Sequence, residues 1–200
     1  MRSVTTEIEI PAPPEDVWEV LLDFSRYGEW NPFIREAGGR AERGGTLTLR
    51  MHPTKGRPVN FRPKVLVAEV ETELRWRGKL LMPGLFDGEH HFLLTDLGTP
   101  EDPATRLVHG ETFRGVLVPV LGMVIRRAEH DFRLLNEALA ERAAARYTER
   151  VGRAVPTVGD GAPGPVGPVG TRLPSEPASE EADTPGEPTA GGDGEPRRAD

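Results

Sequence analysis

Seven apolar residues near the middle of this 200-residue chain, Leu117, Leu121, Val124, Ala128, Phe132, Leu135 and Leu139, recur at intervals of 4, 3, 4, 4, 3 and 4. That spacing puts them on one face of a single long helix. Pro119 is tolerated only in a first turn, so the helix is predicted from Gly115 to about Thr148. An exposed stripe of this length needs a partner. The preceding hundred residues supply one, because they alternate apolar and polar residues in short runs bounded by Gly and Pro, the mark of half-buried strands.

The runs predict a strand at Val4–Ile10, then two short helices. Pro13 and Pro14 open the first of these, with Glu15 and Asp16 in its first turn and Val17, Trp18, Leu21 and Leu22 on its apolar side. Phe24 to Trp30 forms the second, ended by Asn31-Pro32. Strands follow at Phe33–Ala37, Thr46–Met51, Val59–Val70, Glu73–Leu81, Phe86–Leu97 and Thr105–Phe113. Pro63 marks an edge or a bulge within the fourth of the seven strands. The order defines an α+β fold: an antiparallel sheet with a long C-terminal helix and two short helices after the first strand. A strongly twisted sheet does not fill the space beneath a long helix, so an interior pocket is expected.

Composition divides the chain near residue 150. Residues 151–200 hold 10 Gly and 9 Pro, no aromatic residue, and 9 acidic residues against 4 Arg. Such a segment lacks the apolar surface to offset its ordering entropy, and it reads as a disordered acidic tail with a short polyproline-prone stretch at Gly161–Gly170. Residues 1–150 carry 21 basic and 23 acidic residues and form the folded domain. A near-neutral domain with an acidic tail argues against nucleic acid as a partner. The absence of Cys excludes a disulfide framework, a thiolate metal site and a Cys nucleophile. No HExxH or comparable His/carboxylate spacing suggests a metal, and no glycine-rich phosphate loop or GxSxG suggests a cofactor or a serine nucleophile, so none is expected. The longest apolar run, Gly115–Ile125, is about half a membrane span. The N-terminal residues lack an apolar core of the signal-peptide kind, and the expectation is a cytoplasmic protein.

The last two predicted strands carry the chemistry. Positions 90, 92 and 94 are His, Phe and Leu; positions 107, 109, 111 and 113 are Leu, His, Glu and Phe. Two imidazoles and a carboxyl therefore share a face with large apolar side chains. A symmetric hairpin sets His90 opposite Glu111 and Phe92 opposite His109. An unpaired polar group there costs roughly 2–7 kcal/mol, so a His–Glu pair is expected, with the carboxylate raising the imidazole pKa toward or above neutral. The pair either satisfies itself structurally, anchors a ligand, or moves a proton next to a carbonyl. His91 and Glu89 point to the other face, so His90-His91 is not a chelate.

These residues and their order resemble the START/Bet v 1-like (SRPBCC) superfamily, specifically its polyketide cyclase/dehydrase and lipid-transport branch. The likeness is carried by Ile10-Pro-Ala-Pro-Pro-Glu-Asp-Val-Trp18, Tyr27-Gly-Glu-Trp-Asn-Pro-Phe-Ile34, Phe61-Arg-Pro-Lys-Val65, Leu74-Arg-Trp-Arg-Gly78, Phe86-Asp-Gly-Glu-His90 and Thr105-Arg-Leu-Val-His-Gly-Glu-Thr-Phe-Arg-Gly115. It implies the helix-grip fold, a curved sheet wrapped around the C-terminal helix, with a cavity between them. By parity the ligand-contacting residues would be Met51, Phe61, Trp76, His90, Phe92, His109, Glu111 and Phe113, with Leu117 and Leu121 facing them from the helix and Trp30 near the mouth. The resemblance implies a binder of a small hydrophobic molecule (lipid, polyketide or another aromatic or isoprenoid-like metabolite) acting as carrier or sensor. The alternatives it allows, ranked behind that reading, are a cyclase or dehydratase using His90, His109 and Glu111 as acid and base, and an interaction module whose pocket is vestigial and whose tail recruits a protein partner; the reading leans away from an enzyme.

Overall fold

A computed structural model of the chain describes residues 1–80 and 84–154. The strands are β1 (Arg2–Ile10), β2 (Ile34–Gly39), β3 (Leu47–Met51), β4 (Val59–Phe61), β5 (Lys64–Glu69), β6 (Glu73–Leu80), β7 (Phe86–Asp96) and β8 (Thr105–Arg114). The helices are α1 (Pro14–Leu22), α2 (Tyr27–Trp30), entered through a 3₁₀ turn at Phe24–Arg26, and α3 (Gly122–Ala154). Every strand pair is antiparallel, in two sheets ordered β1-β8-β7-β6-β5 and β2-β3-β4. This is the helix-grip fold: antiparallel strands around a long C-terminal helix, with short helices after the first strand.

The predicted run Val59–Val70 is two strands, because Pro63 sits at a corner rather than in a ladder. Lacking an N–H, Pro63 offers only its carbonyl, which accepts from Leu47 N–H at 2.9 Å. The chain passes there from the small sheet to the edge of the large one, and a Thr46–Lys64 bridge ties the two together.

The long helix starts at Gly122, seven residues later than its stripe predicts. Gly115 adopts φ 125°, a conformation that favours glycine, and the backbone that follows bonds across to the β6–β7 turn, Val116 N–H to Gly84 and Leu117 N–H to Leu85. Those bonds hold the segment against the β6–β7 turn, and Pro119 has no N–H with which to close a first helical turn onto the Gly115 carbonyl. The buried face accordingly runs Val118, Ile125, Phe132, Leu135, Leu139 and Ala143, while Leu117 and Leu121 are only half-buried. At its other end α3 continues to Ala154, past the compositional boundary at 150; the rest of the predicted tail lies outside the described residues.

The core joins Ile10, Val17, Leu21, Leu47, Leu74, Leu107, Phe132, Leu135 and Leu139, all fully buried. Asp16 is buried beneath α3, held by Arg150 through Nε at 3.2 Å and Nη2 at 2.6 Å. This two-pronged contact fixes α1 against the C-terminal half of α3. The N-terminal half of α3 is thereby held over the sheets, where the interior is hollow.

Candidate functional site: an apolar cavity with one polar wall

A cavity of about 310 Å³ lies between the two sheets and α3. The small sheet contributes Ile34, Leu49, Met51, Val59 and Phe61, the large sheet Trp76, Phe86, Gly88, His90, Glu111 and Phe113, and α3 Arg127, Ala128, Asp131 and Phe132. Lys55, Gly56 and Arg57, from the β3–β4 loop, stand at its opening. Two glycines make the space. A Cβ on Gly78 would overlap the Phe61 ring, and one on Gly88 would overlap Glu111 Oε1. Both positions need a hydrogen where any other residue has a side chain.

The β7–β8 register is the expected one: His90 pairs with Glu111, Phe92 with His109 and Leu94 with Leu107. His90 and His109 are buried, and a hydrogen-bonded chain runs back from the cavity wall into the core. Glu111 Oε2 stands 3.5 Å from His90 Nδ1. His90 Nε2 and His109 Nε2 are 2.7 Å apart, and His109 Nδ1 is 2.6 Å from Asn136 Oδ1 on α3. Asn136 Nδ2 donates to Thr6 Oγ1 at 2.9 Å, whose hydroxyl donates to the His109 carbonyl at 3.2 Å.

This chain has one consistent direction. The amide nitrogen of Asn136 is committed to Thr6, so its oxygen must accept from His109 Nδ1–H. A neutral His109 then presents a lone pair at Nε2, which requires His90 to carry its proton on Nε2. His90 Nδ1 is left as an acceptor facing the Glu111 carboxyl. Glu111, its side chain 15% exposed, and the edge of the more deeply buried His90 bring the chain to the cavity wall.

Protonation follows from the surroundings. His90 stacks on Trp76 at 4.8 Å and 4°, and His109 lies between Phe92 at 4.3 Å and Phe132 at 4.2 Å. Burial in this aromatic box lowers His90 to about 3 and takes His109 well below its ordinary value. Burial likewise raises Glu111 to about 8. The sequence expectation of a carboxylate raising an imidazole pKa is therefore overturned. Desolvation outweighs the pair's mutual attraction, and near neutral pH the wall holds a neutral carboxylic acid against neutral imidazoles.

Of the eleven residues expected to touch a ligand, Met51, Phe61, Trp76, His90, Glu111 and Phe113 line the cavity. Phe92 and His109 stand behind the wall, because the Phe132 ring covers His109 and fills that level. Leu117 and Leu121 are spent on the turn before α3. Trp30 is not at the mouth: Tyr27, buried with its hydroxyl on the Leu21 carbonyl, sets α2 so that Trp30 packs on Tyr27 at 5.0 Å and borders a shallow groove with Asp23, Arg26 and Arg142. Sequence reasoning missed Thr6 and Asn136. Both carried a signal, since Thr6 shares the inward parity of Val4 and Ile10, and Asn136 adjoins Leu135 on the buried face of α3. Glu89 faces outward as expected, bound by Arg75 and Arg77. Among the described residues no His/Asp/Glu group has metal-binding geometry, and no helix is long and apolar enough to cross a membrane.

A long helix gripped by antiparallel strands around one open-ended apolar hollow defines a cavity protein of the helix-grip class. The chain belongs to the polyketide cyclase / dehydrase and lipid transport family, whose model matches residues 1–144. No curated protein matches it in sequence. Among solved structures it is similar to protein MLL2253 from Mesorhizobium loti (21% identity, 70% of this chain and 96% of that one, TM-score 0.55). It is also similar to a START superfamily protein from Mycobacterium smegmatis (20% identity, 74% and 98%, TM-score 0.54). A third likeness is to StfQ, a di-domain ARO/CYC of the steffimycin biosynthetic pathway (16% identity, 75% and 52%, TM-score 0.51). At these identities the likeness is one of fold.

Proposed function

We propose that this protein binds a small hydrophobic molecule in the cavity between its sheets and α3, as a carrier or sensor. The observation that carries the reading is a hollow walled by Phe, Trp, Met, Leu, Ile and Val side chains with one polar wall at Glu111 and His90. At roughly 30 Å³ per water-sized group, the cavity takes a ligand body of about ten non-hydrogen atoms. Burying about 300 Å² of apolar ligand surface is worth roughly 7 kcal/mol gross, and association itself costs several kcal/mol. The polar wall has to supply the rest. A protonated Glu111 does so by donating to a carbonyl or hydroxyl oxygen on the ligand, an interaction worth more in a dry pocket than in water.

A second reading is supported by the same wall. A carboxylic acid poised near neutral pH beside an imidazole acceptor is suited to general acid catalysis on a ligand carbonyl, as an aldol cyclisation or dehydration requires. StfQ, named as an ARO/CYC, shares the fold. Glu111→Gln separates the two readings. The amide keeps the shape and a donor but has no proton to transfer. Native mass spectrometry of the full chain from its own host identifies the co-purified molecule, and that molecule is then offered to wild type and E111Q. Retained binding with no product from either protein supports the carrier. Product from wild type alone supports the enzyme. A chain that carries and binds no apolar molecule refutes both.

A further inference from the structure

The opening of the cavity is basic in a protein that is otherwise acidic. The chain carries net charge −7. Yet residues 43–68, which supply β3, β4 and the loop over the cavity, contain Arg43, Arg50, Lys55, Arg57, Arg62 and Lys64 and no Asp or Glu. Residues 112–128, which lead into α3 on the opposite side, contain Arg114, Arg126 and Arg127 and again no Asp or Glu. Three of these cations, Lys55, Arg57 and Arg127, line the cavity itself, and all three are exposed. None has an ion-pair partner among the described residues, whereas Arg40, Arg75, Arg77, Arg133 and Arg150 each do.

The rim is also held in place. Thr54, next to Lys55, donates its backbone N–H to Asp131 Oδ1 at 3.0 Å and its hydroxyl to the same oxygen. Asp131 is buried on α3, one turn from Arg127. The one acid lining this end of the cavity is thus turned onto the loop, and the same contact fixes the loop cations opposite Arg127. Cations above a low-dielectric hollow focus positive potential into its mouth. With a carboxyl anchor at depth and cations at the entrance, the two ends of the cavity ask for different groups.

We infer that the ligand is an anionic amphiphile, with an apolar body of about ten non-hydrogen atoms in the cavity and a carboxylate or phosphate at the rim on Lys55, Arg57 and Arg127. This rests on the proposed binding role, and the test keeps the two apart. Decanoate and decan-1-ol share the same alkyl body and differ in the charge at one end. Calorimetric titration of the full chain is expected to show decanoate binding roughly ten-fold tighter than decan-1-ol, the order given by three partly screened surface contacts. Raising salt to several times the physiological level should erase most of that preference, since the contacts lie at the surface. The triple variant Lys55→Gln/Arg57→Gln/Arg127→Gln should lose the preference and still bind decan-1-ol. Arg62→Gln, exposed in the same basic segment but off the cavity, should keep it. Equal binding of both probes by wild type overturns the anionic head and leaves the hydrophobic binder standing; binding of neither overturns both. Preference for decanoate that survives in the triple variant also overturns the assignment to this rim. Co-sedimentation with phosphatidylglycerol vesicles, but not with phosphatidylcholine vesicles, in a protein without preference for decanoate overturns the soluble amphiphile in favour of a lipid headgroup held in a bilayer.

Discussion

Replacing Glu111 by glutamine should change how stability depends on pH more than it changes stability itself. Burial raises the Glu111 carboxyl from 4.5 to about 8. Between these values the unfolded chain carries an ionised carboxylate while the folded protein keeps its proton. The unfolded state therefore binds fewer protons, and wild-type stability falls as pH rises, until the folded group ionises too at about 8. One pKa unit is 1.36 kcal/mol, so the loss between about pH 5 and pH 8 has a ceiling of roughly 4 kcal/mol. The carboxyl faces a cavity that opens to solvent, which trims this to about 2–4 kcal/mol. The imidazoles act in the opposite sense. His90 at about 3 and His109 well below 6.5 contribute stability that is present above about pH 6.5 and lost as pH falls. Wild type should therefore be most stable near pH 6.5 and weaken on both sides. The glutamine of E111Q cannot titrate, so the variant should keep the acid limb and lose the alkaline one. Any fixed offset from placing an amide against His90 is the same at every pH and drops out of the comparison. Thermal unfolding of the full chain followed by circular dichroism, from about pH 5 to pH 9, checks this. The melting temperature of the variant relative to wild type should rise with pH, at about 2–4 °C per kcal/mol, by roughly 5–15 °C between about pH 5 and pH 8. Parallel curves for the two proteins would refute the claim that desolvation governs this wall.

Two further substitutions probe the wall from behind and from beside. Asn136→Ala removes the acceptor of His109 Nδ1–H and the donor to Thr6, leaving buried groups unsatisfied, and should cost about 1–3 kcal/mol in urea unfolding; it also frees the His109 tautomer, visible as a change in the imidazole nitrogen shifts by NMR. Gly88→Ala places a methyl where Glu111 Oε1 sits, so it should push the carboxyl from its place and weaken binding of decan-1-ol roughly ten-fold, while the far-ultraviolet circular dichroism spectrum is unchanged.

Most of the fold was legible because it rests on local patterns with fixed periods. The alternation of His90, Phe92 and Leu94 against Leu107, His109, Glu111 and Phe113 gave both the inward face and the register, since pairing about one short turn leaves few alternatives. The errors fall where long-range contacts compete with a local period. Residues 115–121 fit a helical stripe, yet the Val116 and Leu117 N–H groups bond to the Gly84 and Leu85 carbonyls, partners about thirty residues away that no window of sequence contains. Residues 59–70 alternate as one strand, yet Pro63 turns the chain between two sheets. Analogy of position sets Trp30 at the mouth, and the Tyr27 hydroxyl bond to Leu21 rotates it away.

The site was legible in its membership and not in its electrostatics, and the reason is general. Which residues face inward is a matter of parity, and parity is one-dimensional. Whether a buried His–Glu pair is ionised depends on the balance between solvation lost and attraction gained, and that balance is set by what surrounds the pair on every side. Here Trp76, Phe92 and Phe132 come from a neighbouring strand, the same strand and a distant helix, and together they enclose the imidazoles in aromatic surface. The 3.5 Å separation of Glu111 and His90 is too long to offset that burial with a short charge-assisted bond. Neutrality in turn gives the chain from Thr6 to Glu111 its single direction. A protonated His109 would carry a donor on both nitrogens and set its Nε2–H against that of His90 at the 2.7 Å contact, and a protonated His90 would turn Nδ1 from acceptor to donor toward Glu111. The same burial that depresses the imidazoles therefore orders their protons, and it leaves the Glu111 carboxyl as the group on the cavity wall that titrates near neutral pH.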